Sequence, residues 1–310
     1  MRVLITGING QDGSILSNMH SLNGDQVWGS TRTSLKKRPS TFDIIEEKLQ
    51  DSASANKCLD KIKPHFIYHL AARHFDSTKN SFSSSELRNE MYECHVDITK
   101  NILNWQCKNL NTKSIVALSS QMYLGNKNNQ SINENSICKP QNYYAETKVE
   151  AFNLIRFYRN NYHINSNGAI LFNHTSIKSK QEFLFPKLAI QMSDVIRNQS
   201  DKIFLDNPNK QVDMCHASDI CEGLFKFMSY KPACDLIFSS GKLIKITDLI
   251  RQTFQSLRFR GSYEIIETGA KPQENKVVVG DIRLAKRLIN WAPTKNPEEI
   301  LAEQILKITE

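Results

Sequence analysis

The sequence predicts an α/β protein built on a doubly wound parallel sheet, with a smaller C-terminal α/β lobe. Three observations predict it. Short β-rich runs alternate with helical patterns through the first half, a glycine turn follows the first run directly, and the pattern loses regularity beyond His174. Arg2–Thr6 reads as a strand and Gly13–Asn23 as the helix after it. Gln26–Thr31, Phe42–Glu46 and His65–Leu70 follow as strands, the last set off by a Lys63-Pro64 break. Glu86–Cys107 reads as one helix, Lys113–Ser119 as a fifth strand, Tyr143–Tyr162 as a long amphipathic helix and Asn167–Phe172 as a sixth strand. Asn126–Asn135 is a polar loop. Phe183–Asn198, Ala217–Ser229, Ile246–Leu257 and the stretch after Pro297 read as helices, with strands at Lys202–Leu205, Asp235–Ser239 and Tyr263–Ile266. The expected division is 1–174 for the sheet, completed by later segments, and 175–310 mainly for the lobe.

Bulk properties bound the function. The chain has 310 residues, 40% hydrophobic and 23% charged, with no apolar run of the roughly 18 residues a membrane span needs. No membrane partner is expected, and a cytoplasmic location is. Seven cysteines, odd in number and never spaced C-x-x-C, read as reduced, mostly buried thiols and give no metal site. The net charge of +8 suits either a nucleic-acid surface or a phosphate-rich small ligand. Basic residues are dispersed apart from Lys36-Lys37-Arg38, with no zinc finger or aromatic-interleaved basic stretch, so no nucleic acid is expected as partner.

Gly7-Ile8-Asn9-Gly10-Gln11-Asp12-Gly13 has glycines three apart, directly between a strand and a helix. Gly7 permits the tight turn, Gly10 lets the backbone approach a pyrophosphate, and Gly13 lets helix and strand pack closely, the arrangement of a Rossmann dinucleotide site. The helix N-terminus offers the anion free N–H groups and a positive dipole end. After the second strand, Trp28-Gly29-Ser30-Thr31-Arg32-Thr33-Ser34 carries a cation and hydroxyls but no carboxylate, which favours NADP(H) over NAD(H). Arg32 read blandly is a surface arginine.

Tyr144-Ala145-Glu146-Thr147-Lys148 puts a tyrosine and a lysine on one helix face. The ammonium can lower the tyrosine pKa, so that the hydroxyl exchanges a proton with a substrate oxygen. Ser119-Ser120, ending the fifth strand, can supply a further hydroxyl to the same oxygen. Each member alone is commonplace; the assembly carries the reading.

These stretches together resemble the extended short-chain dehydrogenase/reductases, and within them the GDP-mannose 4,6-dehydratase group. The resemblance rests on Thr6–Ser14, on Tyr68-His69-Leu70-Ala71-Ala72, on Tyr144–Lys148, on Ile170-Leu171-Phe172-Asn173-His174, and on Val279-Gly280-Asp281 with Asn290-Trp291. It implies a Rossmann domain with a sugar-nucleotide lobe, bound NADP(H), a GDP-linked hexose-type substrate, and a homodimer or homotetramer paired through helices. Residue by residue, it implies Ser120, Tyr144 and Lys148 as catalytic. Gly7, Asn9, Gly10, Gln11, Asp12, Gly13, Arg32, Leu49, Leu70, Ala71, Ala72, Tyr144, Lys148 and His174 would be cofactor contacts. Asn173, Lys187, Lys271 and Glu274 would be substrate contacts.

The chain also departs from the group. Where the family reads S-T-S-E-L-Y-G, Ser119–Gly125 puts Ser120 at the threonine and Met122 at the glutamate that serves as base in dehydration. The family's N-H-E-S-P-R-R becomes Asn173–Ser179, leaving Lys178 and Lys180 for its arginines. An arginine is replaced by Val212, and Lys271-Pro272-Gln273-Glu274 stands for R-P-x-E. Elimination from the sugar needs a base near C5, and neither methionine nor Gln121 takes a proton. The expected activity is therefore hydride transfer at C4 of a hexose or heptose nucleotide, foremost as a 4-keto reductase, with a C4 dehydrogenase or epimerase alongside. The other readings are a true 4,6-dehydratase recruiting His74, Glu90 or His95, and a non-catalytic NADP-binding scaffold.

Overall fold

The computed structural model describes residues 1–31, 41–73, 85–269 and 277–309. Seven parallel strands form one sheet: β1 (Arg2–Thr6), β2 (Gln26–Ser30), β3 (Asp43–Ile45), β4 (Phe66–His69), β5 (Lys113–Ser119), β6 (Asn165–Leu171) and β7 (Asp235–Phe238). Their spatial order is β7-β6-β5-β4-β1-β2-β3. Helices cover both faces, so the strands are buried on both sides instead of alternating buried with exposed positions. Along β1, Val3 and Ile5 enter one core while Leu4 enters another, and all three are fully buried.

On the first face α1 (Gln11–Leu22) packs against α7 (Ala217–Ser229), over a core containing Tyr68, Phe238 and Trp291. On the second lie α2 (Ser52–Ile62), α4 (Ile98–Gln106) and α5 (Tyr143–Tyr162). A separate core of α6 (Leu184–Ile196), α8 (Ile246–Ser256) and α9 (Pro297–Thr309) forms the lobe, with Ile203, Leu205 and Met214. Among the described residues, no helix is long and apolar enough to cross a membrane.

Two departures from the sequence reading matter for the site. The helix expected over Glu86–Cys107 is broken by a π-helical turn, Glu93–Asp97, between α3 (Ser85–Tyr92) and α4. Short strand pairs that no alternation announced tie loops together: Asn173–Thr175 with Met214–His216, and Gln130–Ile132, inside the expected polar loop, with Val278–Gly280. Strands this short carry too few residues for a period to register.

Candidate functional site

The strand order reverses between β1 and β4, and in open parallel sheets the crevice outside the strand ends at that point is where ligands sit. Gly7 leaves β1 with φ +71°, and a Cβ there would lie 2.9 Å from the Ala71 Cα, so the turn and the Leu70-Ala71-Ala72 segment pass backbone to backbone. Gly13 is pressed into the same turn, where a Cβ would meet the Gly7 carbonyl oxygen at 2.4 Å. At Gly10 the nearest atom is that oxygen at 3.1 Å, leaving the other side open. Gly10 is also the N-cap of α1, with no capping side chain, and the first helical bond runs from the Ser14 N–H to the Gly10 carbonyl. The helix end thus meets a small-residue cradle that fits a pyrophosphate. Asn9 Nδ2 donates to Thr31 Oγ1 at 2.8 Å across the mouth of β2.

The loop after β6 closes over this turn. Desolvation alone would cost half-buried His174 its charge, but Asp12 at 2.9 Å and the Phe172 carbonyl at 2.8 Å hold it as an imidazolium, raised to about 9. Gln11 Oε1 accepts from Ser176 and Ser179, and Lys178 Nζ reaches Ser14 Oγ at 3.1 Å. Neither serine was singled out from the sequence; two hydroxyls in a polar loop give no signal until a partner is known.

Tyr144 lies in the first turn of α5, which Asn142 caps by accepting from the Ala145 N–H at 2.8 Å. One turn on, buried Lys148 donates from Nζ to the Ala117 carbonyl of β5 at 2.9 Å, and lies 5.9 Å from the Tyr144 ring centroid. Burial pushes the Tyr144 hydroxyl up to about 12, against the pull of a hydrogen bond with Ser119. Burial likewise brings Lys148 down to about 8. At neutral pH the pair is a protonated phenol beside an ammonium.

The serine bonded to Tyr144 lies one residue before the Ser120 named from the sequence. Ser119, half-buried at the end of β5, bonds the Tyr144 hydroxyl, while Ser120 is buried at the start of the 3-10 turn Ser120–Tyr123. Met122 does not face the site either. It is fully buried with Tyr123, Phe152 and Ile170, because an apolar pair at that point of the turn gains by entering the core. The side chain two residues beyond Ser119 is Gln121, whose Oε1 accepts from Asn142 Nδ2 at 3.1 Å. Matching the segment on Tyr123 instead of Gly125 would have given this register.

Other expected contacts scatter. The Leu49 side chain is core, packed with Leu4, Ile45 and Cys58, and its carbonyl accepts from Asn101. Asn173 is exposed in its short strand, and Lys187 is exposed on the first turn of α6. Glu90 pairs with Arg73 at 2.9 Å. Arg32, His74, Lys271 and Glu274 lie outside the described residues.

A glycine cradle at the switch point and a Ser–Tyr–Lys cluster at the end of β5 and on α5 are the arrangement of the short-chain dehydrogenase/reductase kind. The family model described as GDP-mannose 4,6 dehydratase matches residues 4–304, and the chain belongs to that family of nucleotide-sugar enzymes. GDP-mannose 4,6 dehydratase of Drosophila melanogaster is 26% identical over 346 residues, covering 97% of this chain and 84% of the fly protein. The Homo sapiens protein of the same name is 25% identical, over 97% and 90%. Among solved structures, UDP-glucose 4-epimerase of Thermotoga maritima with UDP-glucose superposes with a TM-score of 0.82 at 17% identity, covering all of both chains. RMD of Pseudomonas aeruginosa complexed with NADPH gives 0.76 at 18%, covering 98% and 96%. These two likenesses are of fold.

Proposed function

We propose that the protein is an NADP(H)-dependent reductase of a 4-keto sugar nucleotide. Gln121 carries the reading. It stands two residues beyond the serine on Tyr144, where the family signature has its glutamate, and an amide cannot remove the C5 proton. The nicotinamide, when bound, supplies hydride to C4. Tyr144 then gives its proton to the C4 oxygen, Ser119 donates a hydrogen bond to that oxygen, and the Lys148 charge stabilises the phenolate left behind. A phenol held protonated by burial suits a donor. The cradle from Gly7 to Gly13, with Leu70–Ala72 beside it, would hold the pyrophosphate end. NADP(H) over NAD(H) rests on Arg32 and on the lack of a carboxylate after β2. A GDP-linked sugar is supported by the names of the fly and human relatives.

The second reading is a 4,6-dehydratase, favoured by the family itself, with Glu90, paired to Arg73, the first carboxylate to test. Incubation with GDP-mannose and, separately, with GDP-4-keto-6-deoxymannose separates the two. A dehydratase returns its hydride to C6 with no net cofactor consumption, whereas a reductase oxidises one NADPH for each product. The expected result is NADPH oxidation matching product from the keto sugar, slower with NADH, and no useful loss of water from GDP-mannose. Water loss from GDP-mannose at ordinary enzymatic rates with NADPH unchanged would refute the reductase reading.

The pH profile of reduction follows from Lys148. Its folded pKa is lowered to about 8, so the stabilising charge is present below that pH and lost above it. Reductive kcat/KM should hold level to about pH 7 and fall through pH 8–9, approaching about tenfold per pH unit once Lys148 is neutral. A level rate up to pH 10 would show that the ammonium is not required.

A further inference from the structure

We propose that His95 is a positioning residue that locks the Tyr144 ring to the segment beside the glycine turn. The inference rests on Tyr144 being the proton-carrying group. The π-helical turn Glu93–Asp97 buries His95 fully. Such turns insert one extra residue and re-aim the side chains around it. The Arg73 backbone N–H donates to Nε2 at 3.1 Å, so that nitrogen carries no proton. A neutral imidazole then has its N–H on Nδ1, which donates to Thr147 Oγ1 at 2.8 Å. Thr147 Oγ1 donates onward to the Tyr144 carbonyl at 2.9 Å. Pinned at two corners, the imidazole stands edge-on to the Tyr144 ring, with centroids 5.2 Å apart and planes at 89°.

The turn that carries His95 is itself fixed from the sheet. The Cys94 carbonyl accepts from His69 Nε2 at 3.1 Å, and His69 Nδ1 accepts from Thr6 Oγ1 at 2.7 Å. Thr6 Oγ1 in turn accepts from the Ala71 N–H at 3.0 Å. One run of hydrogen bonds thus joins the end of β1, the Leu70–Arg73 backbone, the π turn and α5. With both nitrogens committed, His95 cannot take a substrate proton without releasing Arg73, which removes it as a substitute base and leaves it the role of holding Tyr144.

Two substitutions divide the ring's functions. The amide nitrogen of asparagine reaches the Nδ1 position, and the amide oxygen of glutamine reaches the Nε2 position. His95→Asn therefore keeps the bond to Thr147 and loses Arg73, while His95→Gln does the reverse. Turnover is measured in whichever of the two reactions above the unmodified enzyme runs, since both move hydride at C4. It is measured with NADPH affinity by cofactor fluorescence and exchange of the Arg73 amide by NMR. One lost hydrogen bond corresponds to about a tenfold effect. His95→Gln should lower kcat about 10-fold with KM, NADPH affinity and Arg73 protection little changed. His95→Asn, which loses the tether to Arg73 but keeps Thr147, should lower kcat by a smaller factor, about threefold, while Arg73 exchanges about 10-fold faster. Neither should move the pH at which the rate falls, and Thr147→Val should reproduce the kcat loss of His95→Gln with Arg73 still protected. If His95→Gln does not fold, the Thr147→Val result decides. Equal behaviour of the two His95 variants, or loss of one limb of the pH profile in both, would overturn the proposal. If the unmodified protein turns over neither substrate, the reductase reading fails separately, and Arg73 exchange alone decides the role of His95.

Discussion

Replacing Tyr144 with phenylalanine should lower turnover about 10²–10⁴-fold, the usual worth of a positioned acid or base. The ring keeps its edge-on contact with His95 and its burial, so the fold and NADPH affinity should change little. The same assay separates the two serines. Ser119→Ala should cost about 10-fold or more, because it removes the hydroxyl hydrogen-bonded to Tyr144, while Ser120→Ala should stay within about threefold. Near-normal turnover of Tyr144→Phe would mean that another group moves the proton. A larger loss at Ser120 than at Ser119 would restore the register read from the sequence.

Gly13→Ala should destabilise the whole sheet domain. Its Cβ would lie 2.4 Å from the Gly7 oxygen and 2.7 Å from the Ile8 Cα, both backbone atoms that cannot swing aside. Overpacking of this kind costs about 1–3 kcal/mol or more, enough to lower Tm by several degrees. Gly10→Ala is the contrasting case. Its Cβ meets only the Gly7 oxygen, at 3.1 Å, and otherwise projects into open space. It should leave Tm nearly unchanged and weaken NADPH binding by about tenfold or more, because the cradle is what it fills. Thermal melts and cofactor titrations of the two variants test this, and equal melting temperatures would contradict the packing account.

The sheet was legible because parallel strands buried on both faces write themselves as apolar runs: Arg2–Thr6 and Lys113–Ser119 needed no further context. The glycine turn and the Tyr144–Lys148 pair were legible because their spacing has few alternative uses. Ser120 was chosen over Ser119 because two adjacent serines are equal in sequence, and only the turn that follows decides which one bonds Tyr144. The π turn was missed because one extra residue within a helix barely disturbs a period of 3.6. His95 then read as a candidate base, when its surroundings use both nitrogens for bonding.

The last strand to join the sheet, β7, is reached only after the chain has visited the lobe, and it lies along β6 from Asp235 to Phe238. Asp235 receives Arg156 and Arg159 from α5, each at 2.9 Å, and also the Gly168 N–H of β6 at 3.1 Å. Trp291, still further along, closes the core against Phe238. The two halves are therefore interlaced, not strung in series. A fragment ending at residue 174 would present β6, buried over almost its whole length in the intact protein, as a bare edge ready to pair with another copy. Its α5 arginines would also lose their shared carboxylate. Cofactor half and lobe must consequently be gained or lost together, so the nucleotide-binding half has no existence as a detachable module.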